Sequence, residues 1–381
     1  MKTIKRRTLW FKKIEELWKK TNIIWLYGVR RSGKTFLCRS IPGIEYFDCE
    51  LPRVRQYFAD PEGFFRGLSG KKVVIDEIHR LDNPSEVLKI AADYFPKTKI
   101  IATGSSTLGT SLKFRDTLTG RKKDLWLLPM TWQDLRDFNH IKMDHRLQRG
   151  GLPPFFLSKS FPEPDFQEWL DAFWSKDIHE LFRIERRHSF QKFIELLFMQ
   201  SGGIFEATKF AQPCEISRTT VSNYLKVLEA TSIAHILKPF NSHKASEIIS
   251  APKIYAFDTG FICYWRGWDK LRQSDLGVLW EHFVLNEIYA NSQNKRVHYW
   301  RDKRGHEVDF ILTPRIGAPI AIETKWNSAG FEPKNLIAFR RQYSQGRNFV
   351  VSYDIDRDFS RNYRGITVRF IGLPGLIRIV S

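Results

Sequence analysis

Short apolar runs alternate with amphipathic stretches through the first 130 residues or so of the chain. Ile23-Ile-Trp-Leu-Tyr27, Ile44-Glu-Tyr-Phe47, Val73-Val-Ile75, Ile100-Ile-Ala102 and Leu125-Trp-Leu-Leu128 are rich in β-branched and aromatic side chains, and each is expected as a strand. Between them the spacing turns helical. Trp10, Ile14, Leu17 and Trp18 fall on one face of residues 7–20, and Val87, Leu88, Ala91 and Ala92 on one face of Pro84 to Phe95. Strands alternating with helices predict a parallel α/β sheet. The run Gly150-Gly-Leu-Pro-Pro-Phe155 breaks the rhythm. Residues 165–200 then read as almost wholly helical, and from about 253 onward strands return at 297–301, 308–313, 319–323 and 348–353. Boundaries are therefore expected near 150 and 250, dividing the chain into 1–150, 151–250 and 251–381.

The turn after the first strand has its own chemistry. Gly28-Val-Arg-Arg-Ser-Gly-Lys-Thr35 has the spacing G-x-x-x-x-G-K-[ST] between a strand and a helix. Phosphates need backbone N–H donors at close range, so Gly28 and Gly33 keep Cβ atoms away, with Arg31 and Ser32 inside the same loop. Lys34 reaches the β- and γ-phosphates, and the Thr35 hydroxyl can hold Mg²⁺. Val73-Val-Ile-Asp-Glu77 is an apolar strand ending in two acids. Asp76 would organise Mg²⁺ beside the phosphate loop, and Glu77 would orient or deprotonate an attacking water. The cofactors expected are therefore ATP and Mg²⁺. The next strand ends in Thr103-Gly-Ser-Ser106, where a hydroxyl, Ser105 being the choice, can touch the γ-phosphate or the water. Arg121, just before the following strand, is placed like an arginine finger offered to a neighbouring subunit, with Arg115 as its rival. A finger of that kind requires a homo-oligomer.

Charge widens the picture. Sixty-one Lys and Arg against 42 Asp and Glu leave a net +19, a field that attracts polyanions. Basic clusters such as Lys5-Arg-Arg7, Lys19-Lys20, Arg121-Lys-Lys123, Arg183 to Arg187 and Lys303-Arg304 have Trp and Tyr interleaved with several of them, a pattern that suits nucleic acid. Cys38, Cys49, Cys214 and Cys263 form no CxxC pair, which argues against zinc and for a reducing compartment. No apolar run is long enough to span a bilayer and no signal-peptide core follows the charged first residues, so a soluble cytoplasmic protein without membrane contact is expected.

Residues 192–230 have the pattern of a helix-turn-helix. Ser217 is a good N-cap, and Val221, Tyr224, Leu225 and Leu228 make a stripe to bury. The other face offers Arg218, Thr219, Ser222, Asn223 and Lys226 to a DNA groove. Ile233 to Leu237 and the segment 242–249 would form a wing. A lid or a subunit contact is the alternative use of such a unit.

Near the C-terminus, Gly305-His-Glu-Val-Asp-Phe-Ile-Leu312 precedes Ile320-Ala-Ile-Glu-Thr-Lys-Trp326. Glu323 and Lys325 are two apart on a strand and share a face. The arrangement Asp309, Glu323, Lys325 resembles the PD-(D/E)xK nuclease superfamily, with Val308 where that name has proline. The resemblance implies a restriction-endonuclease-like α/β domain in which Asp309 and Glu323 bind Mg²⁺ or Mn²⁺. Lys325 would then position the attacking hydroxide, and Glu281, on a helix spanning Leu279 to Tyr289, would complete the site. Over nearly the whole chain, Gly28 to Thr35, Asp76-Glu77, Thr103 to Ser106, Gly120-Arg121, Pro129-Met-Thr-Trp-Gln-Asp134, Gly150 to Pro153 and Tyr255-Ala-Phe-Asp-Thr-Gly260 follow one another as in prokaryotic AAA-type ATPases with a C-terminal DUF4143 domain. That resemblance implies an AAA+ domain, a helical and winged-helix middle and a nuclease-like end. In such proteins the hydroxyl at Ser105 corresponds to the sensor 1 group. Three activities remain open at this point. One is an ATP-driven DNA-processing enzyme with a nuclease module. Another is an ATP-controlled DNA-binding switch with an inactive nuclease fold, and the last is an ATPase acting on a protein.

Overall fold

The computed structural model describes residues 6–104, 112–159, 163–179, 182, 184, 186–240, 251–294, 296–314 and 316–381, without the side chains of Leu112, Lys113 and Arg115. Ser105 and the segment 242–249 therefore lie outside the described residues. Five strands form the first sheet: β1 (Ile23–Tyr27), β2 (Ile44–Asp48), β3 (Lys72–Asp76), β4 (Lys99–Thr103) and β5 (Lys122–Trp126). They lie in the order β2-β3-β4-β1-β5 with every neighbouring pair parallel. Alternation along each strand separates two cores. Ile24, Leu26, Val74 and Ile101 pack with Trp10, Ile14 and Trp18 of the helix Thr8–Trp18. Ile23, Trp25, Val73, Ile75, Ile100 and Ala102 pack with Val87, Leu88 and Ala91 of the helix Pro84–Tyr94. Because all strands run one way, the residues after β1, β3 and β4 collect at a single edge of the sheet.

One strand begins earlier than its apolar run. β5 starts at Lys122 and takes in Lys123 and Asp124, which face outward because β5 is the last strand of the sheet. Its free edge is closed by a side chain. Gln293 Oε1 accepts from the Trp126 N–H at 2.8 Å, and its Nε2 donates to the Trp126 carbonyl at 3.1 Å. The amide thus covers part of an edge that would otherwise be open to another strand.

The second sheet has nine strands in the order β13-β14-β12-β11-β10-β9-β7-β8-β6. Its members are β6 (Gly203–Ile204), β7 (Ala234–Pro239), β8 (Lys253–Ala256), β9 (Val297–Arg301), β10 (Glu307–Leu312), β11 (Ile320–Lys325), β12 (Asn348–Ser352), β13 (Phe359–Tyr363) and β14 (Ile366–Ile371). The sheet runs across residue 250. β7 pairs antiparallel with β8 on one side and parallel with β9 on the other, through Lys238↔His298 and Pro239↔Tyr299. Hydrogen bonding therefore joins the helix-turn-helix region to the C-terminal strands.

Against this sheet lies a 20-residue helix, Gln273–Ser292, longer than the apolar core of its sequence suggests. Asp275 accepts from the Arg272 N–H at 2.9 Å at its start, and Gln293 ends it in a left-handed conformation, φ 53°. Most of its length is buried, including Glu287, whose Oε1 accepts from the Trp132 N–H at 2.6 Å. Burial pushes the Glu287 carboxyl up to about 7 from its ordinary 4.5. A carboxyl raised on folding favours the folded chain while protonated. That contribution is complete below about pH 4.5 and is lost as pH rises through 7, on the order of 1–3 kcal/mol. Glu287→Gln keeps the acceptor and removes the charge, so its melting temperature should exceed that of the wild type at pH 8 but not at pH 5. A difference that stays constant across that range in thermal scans would assign the titration to another group.

Candidate functional site

The phosphate loop joins β1 to the helix Lys34–Arg39. A Cβ on Gly28 would come within 2.3 Å of the Leu127 carbonyl oxygen, and Gly33 has φ 93°, so neither position tolerates a larger residue without strain. Lys34 Nζ donates to the Gly28 carbonyl at 2.9 Å and to that of Val29 at 3.2 Å, and burial lowers its pKa. Phosphate charge arriving there opposes that shift and strengthens binding. Thr35 Oγ1 donates to Asp76 Oδ2 at 3.1 Å, across from the end of β3. The Tyr46 hydroxyl donates to the same oxygen and the Thr103 hydroxyl to Asp76 Oδ1, so the carboxylate is held at both ends. Thr35 and Asp76 are hard oxygen donors side by side, the donor set that Mg²⁺ takes beside nucleotide phosphates.

Glu77 follows in a left-handed conformation, φ 54°, with its N–H donating to Thr103 Oγ1 at 3.1 Å. Its carboxylate meets His79 Nδ1 at 3.2 Å. Burial alone would raise its pKa, but the His79 hydrogen bond and the Lys34 charge outweigh burial and hold it below its ordinary value. Glu77 is thus ionised at neutral pH and able to accept a proton. Thr103 is occupied in positioning these two acids.

Some expected residues stand elsewhere. Ser32 is fully buried, with no hydrogen-bond partner for its hydroxyl, and it does not line the cavity over the loop. Arg121 precedes β5 and so lies at the opposite edge of the sheet from its own phosphate loop. There it binds Asp93 twice, at 2.7 and 3.1 Å. Arg7, counted above among the basic clusters, is a buried structural residue. Its guanidinium forks onto Asp134 at 2.9 and 2.7 Å and donates to the Ser32 carbonyl at 2.8 Å, supporting the phosphate loop from below. Sequence reasoning missed Arg7, Tyr46 and His79. Only His79, two residues after Glu77, was within reach of a local pattern.

A cavity of about 710 Å³ opens over the loop, a volume that suits a nucleotide. Its far wall comes from the middle of the chain, including Pro153, Phe173, Lys176 and Asp177. That wall grips the loop. Arg30 Nε meets Asp177 at 3.1 Å, Arg31 meets Glu168 at 2.6 Å, and Trp169 Nε1 donates to the Arg30 carbonyl at 3.1 Å. Asp177 sits on the π-helical turn Phe173–His179, where burial raises its pKa against the pull of Arg30.

In the helix-turn-helix region, Ser217 Oγ accepts from the Thr220 N–H at 3.1 Å and caps the helix Arg218–Ala230. Val221, Tyr224, Leu225 and Leu228 are buried, while Arg218, Thr219, Ser222, Asn223 and Lys226 are exposed together. Ile233 to Leu237, expected as one side of a wing, falls largely in β7, which pairs antiparallel with β8; the other side, 242–249, lies outside the described residues.

The C-terminal residues converge. Asp309 lies on β10 where a bulge between Val308 and Ile311 re-aims the strand, and its Oδ2 accepts from the Thr324 N–H and hydroxyl at 2.7 and 2.8 Å. Lys325 Nζ binds Glu323 Oε2 at 3.2 Å, and the buried Glu323 Oε1 has no partner. Burial raises both acids. The charge of Glu281 adds to the shift of Asp309, and that of Asp309 to the shift of Glu323. Glu281 accepts from Tyr255 at 2.5 Å and from Lys253 at 3.1 Å, and Lys253 also reaches Glu307 at 2.7 Å. Lys253 and Tyr255 belong to β8, so the strand paired with β7 supplies part of this cluster. The signal for it was a lysine in an otherwise apolar strand. Among the described residues no three His, Cys, Asp or Glu side chains are grouped to hold one ion. The facing acids Asp309 and Glu323, one with an unpartnered buried oxygen, fit a divalent cation whose remaining ligands are water and phosphate.

Sheet order, phosphate loop and paired acids together define a P-loop ATPase. The chain matches the family model "AAA domain" over residues 20–136 and "Domain of unknown function (DUF4143)" over 276–374, and it is an AAA-type ATPase with a C-terminal DUF4143 domain. Between them, residues 141–272 match "Domain of unknown function (DUF8612)". The chain is 28% identical over 319 residues to Uncharacterized protein Rv2008c of Mycobacterium tuberculosis, covering 80% of this chain and 70% of that one. The same figures hold for Uncharacterized protein Mb2031c of Mycobacterium bovis. Among solved structures, the Walker-type ATPase paby2304 of Pyrococcus abyssi is 18% identical, covers 67% of this chain and 94% of its own, and has a TM-score of 0.44. CDC6P from Pyrobaculum aerophilum is 12% identical, covers 70% of this chain and 96% of its own, and has a TM-score of 0.28. Among the described residues no helix is long and apolar enough to cross a membrane.

Proposed function

We propose that the protein is an ATP-hydrolysing DNA-processing enzyme whose C-terminal module cleaves phosphodiester bonds with Mg²⁺ or Mn²⁺. The observation that carries this reading is the convergence of Glu281, Asp309, Glu323 and Lys325 from one helix and two strands. A divalent cation held by Asp309 and Glu323 would neutralise charge on the scissile phosphate. Lys325 then lies close enough to orient an attacking water and to stabilise the charge that develops in the transition state. The test is a nuclease assay of the purified full chain on linear and branched DNA with each metal, with and without ATP.

DNA engagement is assigned to the exposed face Arg218, Thr219, Ser222, Asn223 and Lys226, supported by the net charge of +19. Binding to duplex should weaken steeply with salt, in proportion to the phosphates neutralised. Arg218→Glu should weaken it about tenfold or more at low salt and flatten the salt dependence. An unchanged affinity and salt slope in a titration would remove this face from the interface. A homo-oligomer belongs to the same reading, with Arg121 released from Asp93 to meet a neighbour's nucleotide.

A second reading is favoured by one contact. Lys253 already neutralises Glu281 and Glu307, so the cluster is electrostatically satisfied in part without a metal. In that case ATP controls DNA binding and the nuclease fold is inactive. Lack of cutting on every DNA form, together with nucleotide-dependent DNA affinity, would establish it.

A further inference from the structure

The ends of β11 and β12 carry an aromatic group that neither the ATP site nor the carboxylate cluster uses. Lys325 lies opposite Ser352 across the two strands, and the next residue on each is aromatic. The rings of Trp326 and Tyr353 lie face to face, with centroids 4.3 Å apart and planes 10° from parallel. Trp280 meets each of them edge-on at 5.8 Å, and its indole N–H donates to the Val351 carbonyl at 3.1 Å. The following turn is also tied down. Asp354 accepts from the Ser328 N–H at 3.0 Å, the Ser328 hydroxyl at 2.9 Å and the Ser352 hydroxyl at 2.6 Å. Even so, the Tyr353 side is open to solvent, and the residue is 43% exposed. A large ring held this firmly in water has already lost the freedom that binding would otherwise cost.

Its position relative to the carboxylate cluster is fixed twice over. Trp280 and Glu281 are consecutive on the helix Gln273–Ser292, and Lys325 and Trp326 are consecutive at the end of β11. In each pair the charged member joins the cluster and the aromatic member joins the stack. The two groups therefore adjoin one another on two separate elements.

We propose that Tyr353, backed by Trp326, is a stacking platform for an unpaired nucleobase beside the carboxylate cluster. The proposal deepens the DNA-cleaving reading and rests on it for the identity of the ligand. The chemistry favours this occupant over another planar group. The chain's overall positive field of +19 concentrates polyanions such as the strand to which such a base belongs. A base inside a duplex is already stacked on both faces, so the platform takes bases from single-stranded segments or frayed ends, whatever their sequence. The substrate class is thus DNA with an unpaired strand at the site of cutting.

The test compares fluorescence anisotropy of the full-length protein with a short labelled single strand and with an abasic strand of equal length, in EDTA so that nothing is cut. Wild-type protein should bind the base-bearing strand more tightly than the abasic one. Tyr353→Ala should lose about tenfold on the base-bearing strand and nothing on the abasic one, and Tyr353→Phe should behave as wild type. An equal loss on both strands, or no loss on either, overturns the platform. The contrast is independent of cutting. It stands if the wild type never cleaves DNA, and a Tyr353→Ala protein with unchanged base-dependent binding overturns it even if Asp309 is needed for cleavage.

Discussion

Glu77→Gln protein should bind ATP about as well as the wild type and turn it over at least about a hundredfold more slowly. The substitution keeps the size and hydrogen-bonding reach of the side chain but removes the charge that accepts a proton from the attacking water. His79 and Lys34 hold the Glu77 carboxyl below its ordinary pKa, so the wild-type base is ionised across the neutral range. Its rate should therefore show no fall attributable to this group between about pH 6 and 8. Lys34→Ala acts earlier, since it removes the ammonium that meets the phosphates, and should abolish nucleotide binding altogether. Turnover by Glu77→Gln at the wild-type rate, with binding confirmed by titration, would take Glu77 out of the mechanism.

The second large effect is expected at the other end of the chain. Asp309→Ala should abolish DNA cleavage while leaving ATP turnover intact, because Asp76 ends a strand of the first sheet, with Glu77 just after it, and Asp309 lies on the second. Without the Asp309 carboxylate, Glu323 has no facing acid with which to share a divalent cation. The Thr324 N–H loses its acceptor as well, so circular dichroism should accompany the assay to show that the strands remain. Cleavage at the wild-type rate by folded Asp309→Ala protein would place the cutting elsewhere.

What could be read from the sequence was the chemistry carried by neighbours along the chain. The phosphate loop, the acids closing β3 and the Asp309, Glu323, Lys325 spacing are local patterns, and the alternation of apolar runs with helical stretches implies the α/β class observed. Contacts between distant segments were out of reach. Arg7 and Asp134 are 127 positions apart, so a buried ion pair under the phosphate loop looked like part of a basic N-terminus. Lys253 meets Glu281 and Glu307 only because β8 lies in the same sheet as β10, and no spacing rule encodes that. The early start of β5 was hidden by its polar residues, since an edge strand need not be apolar on both faces.

The helix Gln273–Ser292 also imposes a constraint on how this protein can vary. Gln293 at its end is fastened to the backbone of Trp126, and Glu281 within it faces the C-terminal acids. The two are twelve positions apart, about 18 Å along the helix axis. Inserting or deleting one residue between them would turn one end against the other by about 100° and shift it by about 1.5 Å. Glu281 would then face away from Asp309, or Gln293 away from β5. The reach of this rod is fixed by the two sheets that it connects.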